Sequence, residues 1–115
     1  MEVKPVKGTH DIIGNDIILY QRIEDALAKI AHTYGYLEFR TPIIEHTELF
    51  ARSVGDSSDI VRKEMYTFLD KGNRSLTLRP EVTASIIRTI VNNKLYSSQD
   101  FPIKASYLGP TFRYE

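Results

Sequence analysis

Met65-Tyr66-Thr67-Phe68, then Leu69-Asp70-Lys71-Gly72-Asn73-Arg74, then Ser75-Leu76-Thr77-Leu78-Arg79 and Pro80-Glu81-Val82-Thr83-Ala84 form the stretch that decides the fold. Residues 65–68 and 75–79 carry the β-branched, aromatic and leucine content of strands, and the six residues between them hold the Gly and Asn of a turn. The spacing predicts an antiparallel hairpin. Pro80 closes the second strand because it offers no N–H to a sheet ladder, and it suits the first position of a helix. That helix is expected to place Val82, Ile86, Ile87, Ile90, Val91 and Leu95 on its apolar side and to lie across the sheet.

Upstream, apolar residues recur at Leu19, Ile23, Ala26, Leu27, Ile30, Ala31 and Tyr34, which is helical spacing. Asn15 is the expected N-cap and Gly35 the stop. Tyr36 to Arg40 alternates like a strand and ends at Thr41-Pro42. Thr47 is expected to cap a short helical piece over residues 48–52, followed by a mobile polar loop, Gly55-Asp56-Ser57-Ser58-Asp59. Downstream, residues 97–100 read as a loop, Ile103 to Leu108 alternates, and Gly109-Pro110 introduces a last strand, Thr111 to Glu115. Helix, strand, hairpin, helix and strands in that order predict an α+β domain on a largely antiparallel sheet. The chain ends in mid-strand on Glu115, so it reads as a piece of a longer one.

At 115 residues there is room for one domain. Hydrophobic residues at 42 % and charged residues at 26 % are those of a chain that buries a core, which excludes a disordered tail and a fibrous repeat. Fifteen Lys plus Arg balance fifteen Asp plus Glu, so any nucleic-acid contact has to come from a local patch. The absence of Cys removes disulfides, thiolate nucleophiles and Cys-based zinc sites. The longest apolar run, Ile17-Ile18-Leu19-Tyr20, falls far short of the ~18 residues of a membrane helix. The N-terminus has no signal-peptide core, and a cytoplasmic protein is expected.

Few residues carry chemistry. Glu81 and Thr83 stand two apart at a strand-to-helix junction and suit an ammonium group, which needs acceptors and an opposite charge. Glu81 equally suits the positive end of the helix dipole. Arg113 and Glu115 lie two apart in a strand-like run, so both project from one face: an Arg fork for a phosphate with a carboxylate beside it, or a cross-strand ion pair. His10, His32 and His46 are dispersed, with His32 on the solvated side of the first helix and the other two in loops, and no metal site is assigned. The six glycines are too scattered for a nucleotide-binding fingerprint.

Five ordered blocks carry a resemblance: Lys7-Gly8-Thr9-His10-Asp11; Tyr34 to Glu45, including Phe39-Arg40-Thr41-Pro42; Lys63-Glu64-Met65-Tyr66-Thr67-Phe68; Leu76 to Ala84; and Gly109-Pro110-Thr111-Phe112-Arg113-Tyr114-Glu115. Together they resemble the histidyl-tRNA synthetases of class II, from about residue 7 to the end. The resemblance implies that residues 1–115 are the N-terminal part of the catalytic domain. Motif 1 would cover about 16–42, closed at the dimer interface by Pro42, and motif 2 would start within about 103–115. It implies that Glu81 and Thr83 hold the α-amino group of histidine. Arg113 would be the catalytic arginine, contacting the substrate carboxylate and the ATP α-phosphate, with Glu115 near the ATP. The family commonly has Gly where this chain has Val82, and Arg where it has His10, to which no role is assigned.

The implied whole enzyme is a homodimeric histidine–tRNA ligase with L-histidine, ATP and tRNA(His) as substrates, Mg2+ on the phosphates, no organic cofactor and no membrane. This piece is expected to be inactive alone, since the rest of motif 2, motif 3 and the anticodon-binding domain are not in it. Alternatives are the synthetase-like regulatory subunit of ATP phosphoribosyltransferase and a non-catalytic dimerisation domain.

Overall fold

The computed structural model describes residues 2–53, 63–97 and 102–114, which divide into two compact units, residues 1–36 and 37–115. The 55–59 loop, residues 98–100 of the expected 97–100 loop, and Glu115 lie outside the described residues.

In the first unit, helix α1 runs Asn15–Thr33. Gly14, not Asn15, is its N-cap, and no side chain caps it. The C-terminus is closed as expected of a glycine stop. Gly35 has φ +81°, its N–H donates to the His32 carbonyl, and the Tyr36 N–H reaches back to Ala31. These two bonds satisfy carbonyls that the last turn leaves open, and only the residue in the left-handed region needs to be glycine.

The second unit is built on a three-stranded antiparallel sheet ordered β2–β4–β3, where β2 is Ile44–His46, β3 Tyr66–Leu69 and β4 Ser75–Leu78. The expected hairpin is β3–β4, in register Tyr66↔Leu78 to Leu69↔Ser75. Its turn is stabilised by Asp70, whose Oδ1 accepts the N–H groups of Gly72 and Arg74. Strand β2 has no counterpart in the sequence reading: three residues are too short for an alternation to register. It pairs with the free edge of β4, Ile44↔Leu78 to His46↔Leu76, which places His46 on a strand rather than in a loop.

Two expected strands shrink. Of Tyr36–Arg40 only β1, Leu37–Glu38, is paired, and its parallel partner is β5, Ala105–Ser106. The described part of 111–115 forms no strand. Its alternate N–H groups nonetheless bond the main chain, Phe112 to the Arg79 carbonyl at 2.9 Å and Tyr114 to that of Glu64 at 2.7 Å.

Helix α2 covers Thr47–Ser53 and packs on β4 and on helix α3, Thr83–Asn92. Thr47 begins α2 from within, and its hydroxyl belongs to a chain of four. Thr77 donates to Thr47 at 2.9 Å, so the Thr67 hydroxyl donates to Thr77 at 3.0 Å, and the Thr47 and Ser75 hydroxyls share a bond of 2.7 Å. Thr77, at the centre of the sheet, is fully buried. Around it the core comprises Phe50, Pro80, Val82, Ala84, Ser85 and Ile86.

Helix α3 starts three residues after Pro80 and ends before Leu95, which sits in a separate 3-10 turn, Leu95–Ser97. A helix from Pro80 needs the Pro80 carbonyl to accept the Ala84 N–H. Both groups are engaged elsewhere: the carbonyl accepts Arg113 Nε at 3.0 Å, and the Ala84 N–H goes to the Glu81 carboxylate at 3.2 and 3.3 Å. Val82 and Ile86 are buried as expected, but Ile87 and Val91 are exposed and line a cavity. No helix among the described residues is long and apolar enough to cross a membrane.

Candidate functional site

The site begins where β4 hands over to α3. Arg79 extends the ladder one step beyond β4, its N–H donating to the Ile43 carbonyl at 2.9 Å. Pro80 is buried, and the chain then emerges with Glu81 half-exposed and Thr83 exposed at the first turn of α3. Glu81 does what the simpler expectation allowed, accepting a first-turn N–H of the helix. A carboxylate offers about four lone-pair sites. One N–H leaves Glu81 with acceptor capacity for a cation.

Two cavities meet at these residues. The larger, about 630 Å³, lies between α2 and α3 and is lined by Glu45, His46, Glu81, Thr83, Ile87 and Arg88 among others. The smaller, about 320 Å³, is lined by Pro80, Glu81, Thr83, Tyr107 and Arg113. Three of the residues expected to bind substrate, Glu81, Thr83 and Arg113, thus line one cavity. The Thr83 and Tyr107 hydroxyls stand 3.4 Å apart there. Arg113 is exposed, and among the described residues its guanidinium is held by one bond, Nε to the Pro80 carbonyl, which leaves the other N–H groups of the fork for a ligand. A carboxylate with a hydroxyl at one end and a guanidinium at the other are complementary to a zwitterion, ammonium to the first and carboxylate to the second.

Val82 takes φ −107° with its side chain 6 % exposed, in the core. The glycine that the family pattern carries here is not needed for backbone conformation in this chain. Pro42 is exposed, and His10 and His32 are exposed and distant in sequence from the site residues. No group of three or more His, Asp or Glu among the described residues converges to hold a metal.

Two charged features escaped the sequence reading. Glu45, 8 % exposed, accepts both Nε and Nη2 of Arg88 on one oxygen at 3.0 Å, tying β2 to α3. Arg79 is 5 % exposed. Their partners lie 31 to 43 positions away, and nothing in the local pattern announces them.

A family model described as Histidyl-tRNA synthetase matches residues 8–115. The chain is 55 % identical over its whole length to histidine–tRNA ligase 1 of Shouchella clausii, of which it covers 27 %. The solved apo histidyl-tRNA synthetase of S. aureus superposes with a TM-score of 0.84 at 43 % identity, over 97 % of this chain and 26 % of that one. A structure described as an ATP phosphoribosyltransferase regulatory subunit/histidyl-tRNA synthetase from Bacillus halodurans gives a TM-score of 0.76 at 25 % identity, over 96 % and 29 %. The chain therefore spans about a quarter of the length of its relatives. With a family match that runs through the hairpin, the Glu81–Thr83 turn and the Arg113 segment alike, the chain belongs to the histidyl-tRNA synthetase family.

Proposed function

We propose that this chain supplies the amino-acid-binding wall and the start of the ATP-binding segment of a class II histidine–tRNA ligase that works in the cytoplasm as a homodimer, with Pro42 at the subunit interface. The observation that carries it is the cavity shared by Glu81, Thr83 and Arg113, opposite charges on one wall. Glu81 and Thr83 bind the α-ammonium of L-histidine; Arg113 gathers the carboxylate and the α-phosphate of ATP. The carboxylate oxygen attacks the α-phosphorus in line, an O–P bond forms, and the bond to pyrophosphate breaks with its electron pair leaving on pyrophosphate. Most of that barrier is met by positioning and charge neutralisation. A hydroxyl of the terminal adenosine of tRNA(His) then attacks the histidyl carbonyl carbon, forming the ester as the bond to AMP breaks, with AMP leaving and the hydroxyl proton lost to solvent. Glu115 is assigned to the ATP side. Magnesium would be held chiefly by the ATP phosphates, where it would offset their charge, and no step is routed through it.

Amino-acid-dependent ATP–pyrophosphate exchange by the full-length protein, across all twenty amino acids, is the test. Exchange with histidine alone, and none by the 115-residue piece, is expected. No exchange from a folded full-length protein overturns the proposal in favour of the regulatory-subunit alternative, which is then tested by mixing with a short ATP phosphoribosyltransferase. The lower identity of the Bacillus halodurans structure, 25 % against 43 %, weighs for the ligase.

A further inference from the structure

Arg79 is a buried cation whose hydrogen-bond partners among the described residues are neutral oxygens. Nε donates to the Pro110 carbonyl at 2.9 Å, and Nη1 to the Thr41 carbonyl and hydroxyl, each at 3.3 Å. A buried charge is a poor way to gain stability, and a well-packed apolar side chain commonly does better. What the guanidinium offers is a rigid planar fork that fixes several acceptors relative to one another. One of those acceptors, the Pro110 carbonyl, lies on the segment that carries Arg113, and the other two belong to Thr41. The Arg79 side chain holds the Pro110 carbonyl, its own carbonyl accepts the Phe112 N–H at 2.9 Å, and the next carbonyl, that of Pro80, accepts Arg113 Nε at 3.0 Å. Residues 79–80 thus grip positions 110, 112 and 113 in sequence.

Gly109 belongs to the same grip. A Cβ on it would run into Arg79 Nη2. A free arginine tip would swing aside, but this one is buried and held by three bonds. A side chain at 109 would therefore have to displace the guanidinium from its bonds.

The geometry points to Arg79 as the positioning residue for Arg113. It touches no substrate; through Pro110 and the Gly109 contact it sets the main chain from which Arg113 reaches the cavity. The inference rests on Arg113 acting at the substrate carboxylate and the α-phosphate. A displacement of about an ångström in a catalytic group is enough to cost on the order of 10²-fold in rate.

The test is a pair of double-mutant cycles on the full-length protein, read by histidine-dependent pyrophosphate exchange and by thermal melting. Arg79→Lys keeps the charge and stem but loses the fork, and Gly109→Ala leaves Arg79 intact but crowds it. Each is expected to lower the exchange kcat by about tenfold or more in the parent. In an Arg113→Ala background, each is expected to add less than about threefold, because the group being positioned is gone. Equal losses with and without Arg113 would make the role purely structural and overturn the inference, as would wild-type rates or loss of the folded transition in both variants. An Arg113→Ala enzyme with an unchanged rate overturns the role of Arg113 itself, an outcome visible in the single variant and so separable from failure of the Arg79 inference.

Discussion

At the Ser75 end of β4 the hairpin turn satisfies itself, whereas at the Leu78 end what Arg79 and Pro80 bind lies between 31 and 38 positions away. In the turn, Asp70 bonds residues two and four places on and pairs with Arg74 at 2.8 Å, in the open. Beyond Leu78, a buried guanidinium and two carbonyls join three separate segments. One strand thus has a local end and a long-range end, and the candidate site is built at the second. Damage to the local end should affect stability alone, and damage to the long-range end should reach the chemistry.

The largest effect is expected at the outermost residue of the long-range end. Arg113→Ala in the full-length enzyme should lower histidine activation by ~10²-fold or more, the scale of removing a charge-stabilising donor, as measured by pyrophosphate exchange. Next, Glu81→Gln keeps an acceptor for the Ala84 N–H but removes the charge. It should reduce kcat/KM for histidine by about tenfold, within the range of a charge-assisted hydrogen bond, with the melting temperature little changed. Unchanged kinetics would reduce Glu81 to a helix-start residue.

Between the two ends, Thr77→Val removes two hydrogen bonds in the buried centre of β4, those to Thr47 and Thr67, and leaves Thr47 with Ser75. It should cost about 1–3 kcal/mol in denaturant unfolding, while histidine KM holds.

The smallest effect belongs to the turn. The Asp70 carboxyl is held below its ordinary value of 3.8, first by the Arg74 N–H, against a desolvation that works the other way, with further help from the Arg74 side chain and the Gly72 N–H. A depressed folded value means that the stabilisation is present above the unfolded value and lost as pH falls through the folded one. Asp70→Asn should lower the melting temperature slightly at pH 7, flatten its decline below about pH 3.8, and leave exchange untouched. An altered exchange rate would show that the two ends of β4 are not independent.

The same division explains what could be read from the sequence. The β3–β4 hairpin and the glycine stop of α1 are written in neighbouring residues, and both were legible. So were Glu81, Thr83 and Arg113 as candidates, the first two from their spacing and all three from the family blocks. The start of α3 was not, because whether Pro80 opens a helix depends on Arg113, 33 positions on, taking the Pro80 carbonyl. Strand β2 was missed because its partner is the far edge of β4. Arg79 was passed over because its burial is a property of Pro110 and Thr41 as much as of itself.

The central place of β4 also has a bearing on how quickly the sheet can assemble. Its pairing with β3 closes first across Leu69↔Ser75, six residues apart, but its pairing with β2 closes no nearer than His46↔Leu76, thirty apart. On loop-closure entropy alone the second pairing is roughly 1.4 kcal/mol harder to initiate. The hairpin is therefore expected to zip before β2 docks, and the larger cavity, whose lining includes β2 and α3 together, to be among the last parts of the sheet region to take shape.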